Sequence, residues 1–478
     1  MGFRVPASMA LACLLAAPTQ AQAQAHSPTP DPMALVDARY DRTAAVARAI
    51  WDHAELGYQE NKSSALLQSE LAKAGFKVTK GVAEIPTAFV AEWGTGGPVI
   101  AILAEFDALP GLSQADTPTR QTDGKSAAHA CGHNLFGSGS VTAAIALSQW
   151  LKATGTPGRV RLYGTPAEEG GSGKVYMVRE GLFNDVDFAI HWHPSDANSA
   201  AARTTLANRS AKFRFRGKAA HAAGAPAQGR SALDGVEAMN MMVNMMREHT
   251  TMDSRIHYVI TDGGSAPNVV PENAEVFYYV RHSQTAEVEA MWKRLEDAAK
   301  GAAMGTGTQV EWEVIHGNNP LLVNETMARV MDAKLRQVGG MQLTAEEKRF
   351  ATEIGKTLAA PRPVESAAAI EPYDKTLGYG STDVGDVSWA TPTVGVNTAT
   401  WAPGTPAHSW QSAAASGTTM GFKGAQLAAK AMVLTAIQLY TDPALRQSAR
   451  AEFDASRGPD YRYRSLLGDR KPPLDFRN

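Results

Sequence analysis

The segment SAAHACGHNLFG, Ser126 to Gly137, sets Cys131 between His129 and His133 and runs straight into an apolar stretch of helical character. A lone cysteine is most often a small buried hydrophobe, but two flanking histidines suit a thiolate held by a metal, which needs a deprotonated sulfur and protects it from oxidation. Further along stand Glu168 and Glu169 in GTPAEEGG, His191 and His193 in AIHWHP, His408 in GTPAHSW, and Asp107 in AEFDALPG. Nitrogen, oxygen and sulfur donors of this kind suit zinc or another divalent first-row metal, and they suffice for two ions. The chemistry that uses such a site is hydrolysis, in which the ions activate a water and polarise a carbonyl. A carboxylate must then move the water's proton to the leaving nitrogen. Glu168 and Glu169 suit that division, because consecutive side chains at a strand end point different ways and one can bind metal while the other faces substrate.

The elements that would position these groups are legible as apolar runs. GPVIAILAEF precedes Asp107, GRVRLYGTPA precedes Glu168, and VDFAI precedes His191, so each polar group stands at the carboxyl end of a buried strand. Helical stretches such as LFGSGSVTAAIALSQWLKAT and SGKVYMVREGLF alternate with the strands, and one helix is expected over residues 31–56 with Asp31 and Pro32 at its start. Continuous apolar strands alternating with helices predict an α/β fold, a doubly wound sheet covered on both faces, with ligands in the crevice at the strand ends. Over residues 210–317 the pattern changes to strand, helix, strand, strand, helix, strand, which predicts an inserted α+β (ferredoxin-like) domain. The expected organisation is therefore a catalytic domain in two parts, 26–209 and 318–478, with the insertion between them. The run Met239, Met241, Met242, Met245 and Met246 reads as core or subunit-interface packing. Residues 356–375 read as a loop, and the charged tail after Pro443 as peripheral.

The 478-residue chain has a formal net charge of −2 and no basic block, which argues against nucleic acid as a partner. Residues 1–25 carry Arg4, the apolar run MALACLLAA and small-x-small endings, the pattern of a secretory signal peptide, so a periplasmic or secreted location is expected. Beyond that segment no apolar run approaches the roughly 20 residues that span a bilayer. Cys13 lies inside the signal segment, so Cys131 is the one cysteine of the mature chain.

Six ordered motifs, AEFDALPG, HACGHNLFG, GTPAEEGGSGK, GSAPNVVPENAEV, STDVGDVSW and GTPAHSW, resemble the dinuclear aminoacylase and carboxypeptidase family, specifically its aminobenzoyl-glutamate hydrolase B-subunit-like branch. The resemblance spans roughly the whole mature chain. It implies a metal-dependent amidohydrolase acting on an N-acyl amino acid such as p-aminobenzoyl-glutamate, with an inserted domain that serves as lid and dimerises the protein. It also implies two divalent ions per chain, manganese or zinc, with Cys131 bridging them, His133, Glu169 and His408 as terminal ligands, and Glu168 as general base. AIHWHP offers two histidines for the last ligand. The Trp-His-Pro pattern of this branch points to His193, while auxin-conjugate hydrolases would use His191. Asp107 stands without the preceding histidine of carboxypeptidase-like relatives and is left to orient a ligand. His221 matches a residue sent into a partner subunit's site to stabilise an oxyanion, and Asn268 and Arg281 match positions that bind carbonyl or carboxylate. Asp383 and Asp386 are either supports of the site or loop caps. The partners implied are a small N-acyl amino acid and a second subunit, identical or related. Other readings are hydrolysis of an indole-acetyl-amino acid or dipeptide, and a non-catalytic binding subunit with the same fold.

Overall fold

The computed structural model describes residues 1–7 and 29–477, so the expected signal peptide falls largely outside the described residues. The chain then forms Pro32–Asp37, with Asp31 capping the Met33 amide, and breaks at Arg39 before α1 (Tyr40–His53), so the single expected helix is two. Next come β1 (Lys77–Lys80), β2 (Phe89–Thr95), β3 (Val99–Ala104), α2 (His133–Thr154), β4 (Gly158–Gly164), α3 (Gly173–Arg179), β5 (Phe188–Ser195) and β6 (Ser199–Ala200). After them lie β7 (Ala207–Arg216), α4 (Ala232–Met246), β8 (Arg255–Asp262), β9 (Asn273–His282), α5 (Thr285–Thr306) and β10 (Gln309–Asn318). The chain continues through α6 (Glu325–Val338), β11 (Thr393–Ala399), α7 (Thr419–Thr441) and α8 (Pro443–Arg457).

The main sheet runs β1-β2-β4-β3-β5-β11-β6. Its four inner strands β4, β3, β5 and β11 are parallel, while β1 and β2 on one side and β6 on the other are antiparallel. Every residue of β3 is buried, as the apolar run VIAILA demands of a strand covered on both faces. Because the inner strands point the same way, their carboxyl ends form one edge, and Glu105, Asp107, Glu168, Glu169 and His193 all gather there.

The inserted sheet runs β8-β9-β7-β10, antiparallel throughout, with α4 and α5 packed on it around Phe213, Phe215, Tyr278 and Trp292. This is the α+β insertion, with sheet limits at Ala207 and Asn318. Met239 and Met246 join its core, whereas Met241, Met242 and Met245 face outward. The tail after Pro443 is not peripheral. Ala449 and Phe453 of α8 are buried, and the neighbouring Leu466 and Leu467 enter the inserted-domain core and the main core respectively. The leucines carry this placement, and the charged residues around them masked it in the sequence. Asp386, expected in a loop, lies in the first turn of a short helix, Val384–Ala390, with Asp383 just before its start. Among the described residues no helix is long and apolar enough to cross a membrane.

Candidate metal centre

Cys131 sits just before α2. Gly132 between them has φ +76°, and a Cβ there would meet the Pro194 ring at 2.7 Å, so only glycine lets the start of α2 lie against the end of β5. That close approach sets Cys131 Sγ 3.4 Å from His193 Nε2. His133 follows at the first position of the helix, where its Nδ1–H donates to Asp107 Oδ1 at 2.8 Å. His193 Nδ1–H donates to the Pro194 carbonyl at 2.7 Å. The Pro194 carbonyl accepts only, so His193 carries its proton on Nδ1 and presents a bare Nε2 lone pair to the thiol. His133 instead has a carboxylate at each nitrogen, Asp107 at Nδ1 and Glu105 at Nε2. Burial is there outweighed by Cys131, Glu105 and Asp107, which raise its pKa well above the usual imidazole value.

On the other side of Cys131, His408 Nε2 lies 3.1 Å from Glu169 Oε1. His408 adopts φ +59°, and its amide donates to the Ala130 carbonyl, which ties its loop to the cysteine's. Three donor triplets result among the described residues, each with ligand atoms within 4.8 Å of one another: Cys131–His133–His193 and Cys131–Glu169–His408, which share the sulfur, and Glu105–His133–Glu168, which lacks it. Sulfur, nitrogen and carboxylate donors that converge around one sulfur fit divalent cations, which would displace the protons now held there. The site is also electrostatically prepared. Burial pushes the Cys131 thiol well up, only partly offset by His133, so its thiolate form calls for a cation. Burial, with His133 adding to it, lowers His193 to about 4 and keeps it neutral, as a ligand must be.

Asp107 does not line the cavity. It is fully buried, with one oxygen on His133 and the other accepting the Glu169 amide at 2.9 Å, so it positions two ligands at once. His191 is outside the ligand group. It is paired with Gly395 across β5 and β11, its Nε2 has no hydrogen-bond partner, and burial followed by His193 lowers its pKa to about 3. Glu168 faces the cavity; burial first, then Glu105 and Glu169, raises its pKa well above the carboxylate range.

Sequence reasoning missed Glu105 and Lys174. The Lys174 ammonium is fully buried and lies 2.7 Å from both Glu105 Oε1 and Asp383 Oδ1, while Glu105 Oε2 is 3.0 Å from His133 Nε2. Burial works against the Lys174 charge, but Asp383 and Glu105 outweigh it and raise its pKa. The visible signal was a charged residue in each otherwise apolar setting, Glu105 at the end of VIAILAEF and Lys174 in GGSGKVYM. Asp383 is thereby a support of the site, and Asp386 binds the Asn319 backbone and side chain and the Tyr463 hydroxyl.

The centre opens on a cavity of about 470 Å³ lined by Cys131, Glu168, Glu169, His193, Arg281 and His408, with Asn208 and His316 beside them. Arg281 has no carboxylate within ion-pair distance among the described residues; its Nε is buried without a partner, and burial lowers its pKa. A second cavity of about 840 Å³ shares His193 and Gly380–Thr382 with the first and extends past Phe136, His191 and Asn397. His221 and Asn268 lie on two exposed loops of the inserted domain that meet where the Ala222 amide donates to the Asn268 carbonyl, outside both cavities of their own chain.

Residues 101–376 match the profile of Peptidase family M20/M25/M40. The chain belongs to this family. Among curated proteins, the B-subunit of p-aminobenzoyl-glutamate hydrolase from Escherichia coli (strain K12) is 41% identical over 87% of this chain and 93% of its own. Xaa-Arg dipeptidase of Mus musculus is 32% identical over 87% and 90%. Among solved structures, a dinuclear metal-binding M20 peptidase from Bacillus subtilis matches with TM-score 0.58 and 18% identity over 84% of this chain and 99% of that one. An aminobenzoyl-glutamate utilization protein from Klebsiella pneumoniae gives TM-score 0.58 and 18% identity over 84% and 98%. These structures share the fold of a catalytic domain with an inserted lid domain. As an M20 member the chain is an amide-bond hydrolase, and its donor groups could hold metal ions.

Proposed function

We propose that the protein hydrolyses the amide bond of aromatic N-acyl amino acids, with p-aminobenzoyl-glutamate as the leading substrate. The observation that carries this reading is Arg281, a guanidinium with no carboxylate partner aimed into the cavity that holds the metal ligands. A planar fork of donors in a half-buried setting is matched to a carboxylate. The amino acid therefore binds in the smaller cavity, with its carboxylate on Arg281. The acyl group extends into the larger one, where Phe136 and the neutral His191 offer an aromatic floor. Bound divalent ions would supply charge to polarise the carbonyl and activate water. Glu168 takes the proton from the attacking water and returns it to the departing nitrogen, a task favoured by its raised pKa. Asp107 keeps the His133 lone pair on target through Nδ1. The soft thiolate and imidazoles suit zinc, and the carboxylates equally admit manganese.

The protein is further proposed to work as a homodimer. Strand β8 is an unpaired edge that exposes Tyr258, Val259 and Ile260, and α4 exposes Met241 and Met245 beside it. A second copy there would carry its His221 and Asn268 toward this chain's cavity, where His221 would bind the oxyanion. A related chain is the other occupant of that surface, since the E. coli relative is named as one of two subunits, and the A-subunit of the same hydrolase is 28% identical over 54% of this chain. Export is proposed from residues 1–25, and the mature amino terminus of protein isolated from its native cell tests it. The function is tested by turnover on p-aminobenzoyl-glutamate beside indole-acetyl-amino acids, aliphatic N-acyl amino acids and dipeptides. Preference for the aromatic acyl-glutamate supports the reading; preference for dipeptides would move it to the dipeptidase relatives.

A further inference from the structure

The turn that carries the two glutamates has a backbone it would not choose alone. Ala167 and Ser172, on either side of it, adopt φ +57° and +61°, and Gly170 inside it +85°. Left-handed conformation is unfavourable for residues with a Cβ and persists where the surroundings hold it. The holding groups can be named. Glu60 accepts the Ala167 amide at 2.8 Å, Asp107 the Glu169 amide at 2.9 Å and Asp383 the Lys174 amide at 2.9 Å, while the Tyr58 hydroxyl donates to the Gly171 carbonyl at 2.5 Å. All four come from the catalytic domain.

A fifth clamp comes from the far end of the chain. Arg477 Nη2 donates to the carbonyl of Glu169 at 2.5 Å, and the Phe476 ring packs edge-on against Tyr58, with centroids 5.7 Å apart. The segment that delivers these two residues is itself fastened to both domains. The Tyr463 hydroxyl donates to Asp386, and Leu466 and Leu467 enter the two separate cores. Arg179 of α3 donates to the carbonyls of Gly468 and Arg470, and Arg470 in turn reaches the Ile315 carbonyl at 3.0 Å and Glu313, both on β10. The same strand meets the glutamate turn from above, where Ser172 Oγ lies 2.6 Å from His316 Nδ1.

We propose that residues 463–477 are a positioning element for the reaction. Arg477 fixes the peptide of Glu169 so that Glu169 and Glu168 point to ligand and base positions, and Leu466 with Arg470 ties that turn to the inserted domain. The inference rests on the reading of Glu169 as ligand and Glu168 as base. Arg477 touches neither substrate nor metal; it acts through the turn.

The test uses the full chain with Arg477→Met, which keeps the aliphatic stem against Phe476, and Arg477→Lys, which keeps a donor. Hydrogen–deuterium exchange of the 166–176 segment is followed in metal-free protein, and kcat and KM are measured on p-aminobenzoyl-glutamate in loaded protein. In Arg477→Met, exchange of that segment should rise about tenfold while the main sheet stays protected. In the same variant kcat should fall about tenfold with KM changed less than about threefold, and Arg477→Lys should recover most of both. Wild-type exchange and kcat in Arg477→Met would overturn the proposal, and so would faster exchange spread across the whole main sheet, or loss of folded protein in both variants, because each marks a merely structural tail. Absence of turnover by the wild type on every amide would instead contradict the hydrolase reading, and the exchange measurement would still decide the role of Arg477.

Discussion

At the scale of single residues the site works by directing lone pairs. Asp107 is the group to test, since it accepts from His133 and from the Glu169 amide together. Asp107→Asn should weaken metal binding by about 10–100-fold in a chelator competition, as loss of a carboxylate partner behind a histidine ligand commonly does; unchanged affinity would show that His133 needs no such support. Arg281 makes a second prediction. Arg281→Met should raise KM for free-acid substrates by about 10–100-fold, the loss of a charged hydrogen bond worth roughly 1.5–3 kcal/mol, and leave the hydrolysis of substrates amidated at that carboxylate little changed. Equal loss on both would place the guanidinium elsewhere in the reaction. The donors of the two triplets that share the sulfur were legible in the sequence from their motifs, Cys131 and His133 at a helix start, Glu169 and the histidine pair after apolar runs, and His408 in a Gly/Pro loop. The choice of His193 over His191 was not legible from spacing alone. Alternate residues of β5 point to the same face, and what separates the two is that His193 adjoins Pro194, which meets Gly132, while His191 lies over Gly395. Glu105 and Lys174 escaped notice because each is explained only by the other, from segments that meet in space.

The elements matter through their ends. A residue with a Cβ at position 132 collides with Pro194 and must also adopt a left-handed backbone, which costs about 1–2 kcal/mol by itself. Gly132→Ala should therefore part α2 from β5, separate Cys131 from His193, and lower metal affinity more than it lowers thermal stability; the reverse order would mean that the contact serves packing alone. The central strands were legible because a strand buried on both faces is apolar throughout, and the insertion because its alternation of strand and helix differs from its surroundings. The tail was misread as peripheral for the opposite reason. Residues 459–477 are rich in arginine and aspartate, and the pair Leu466 and Leu467 makes no periodic pattern, so only the tertiary structure shows that they plug two cores.

For the whole molecule, three buried histidines favour neutral over acid pH, while His133, lowered by burial but raised overall by Cys131, Glu105 and Asp107, works the other way. Burial, joined by His133, lowers His129 to about 3, and burial, joined by His193, does the same to His191; burial also lowers His316 to about 4, only partly offset by the Asp383 carboxylate. Each is neutral in the fold and binds its proton more tightly in the unfolded chain, near about 6.5. Their contribution is fully present above about pH 6.5 and is lost as pH falls toward 4 and 3, since the unfolded state takes up more protons there. These three histidines should thus add a downward slope to the melting temperature below about pH 6.5, so His191→Phe should flatten the profile between about pH 6.5 and 4.5 relative to the wild type; an unchanged slope would contradict the neutral assignment. The central claim is that Cys131 joins two metal sites and Glu168 serves as base without holding either ion. The most direct measurement is ions bound per chain together with p-aminobenzoyl-glutamate hydrolysis, in the wild type and in Glu168→Gln. Two ions in both proteins, with kcat lost by at least about 10²-fold in the variant, is the predicted result. Loss of an ion in Glu168→Gln, or turnover near the wild-type rate, would contradict it.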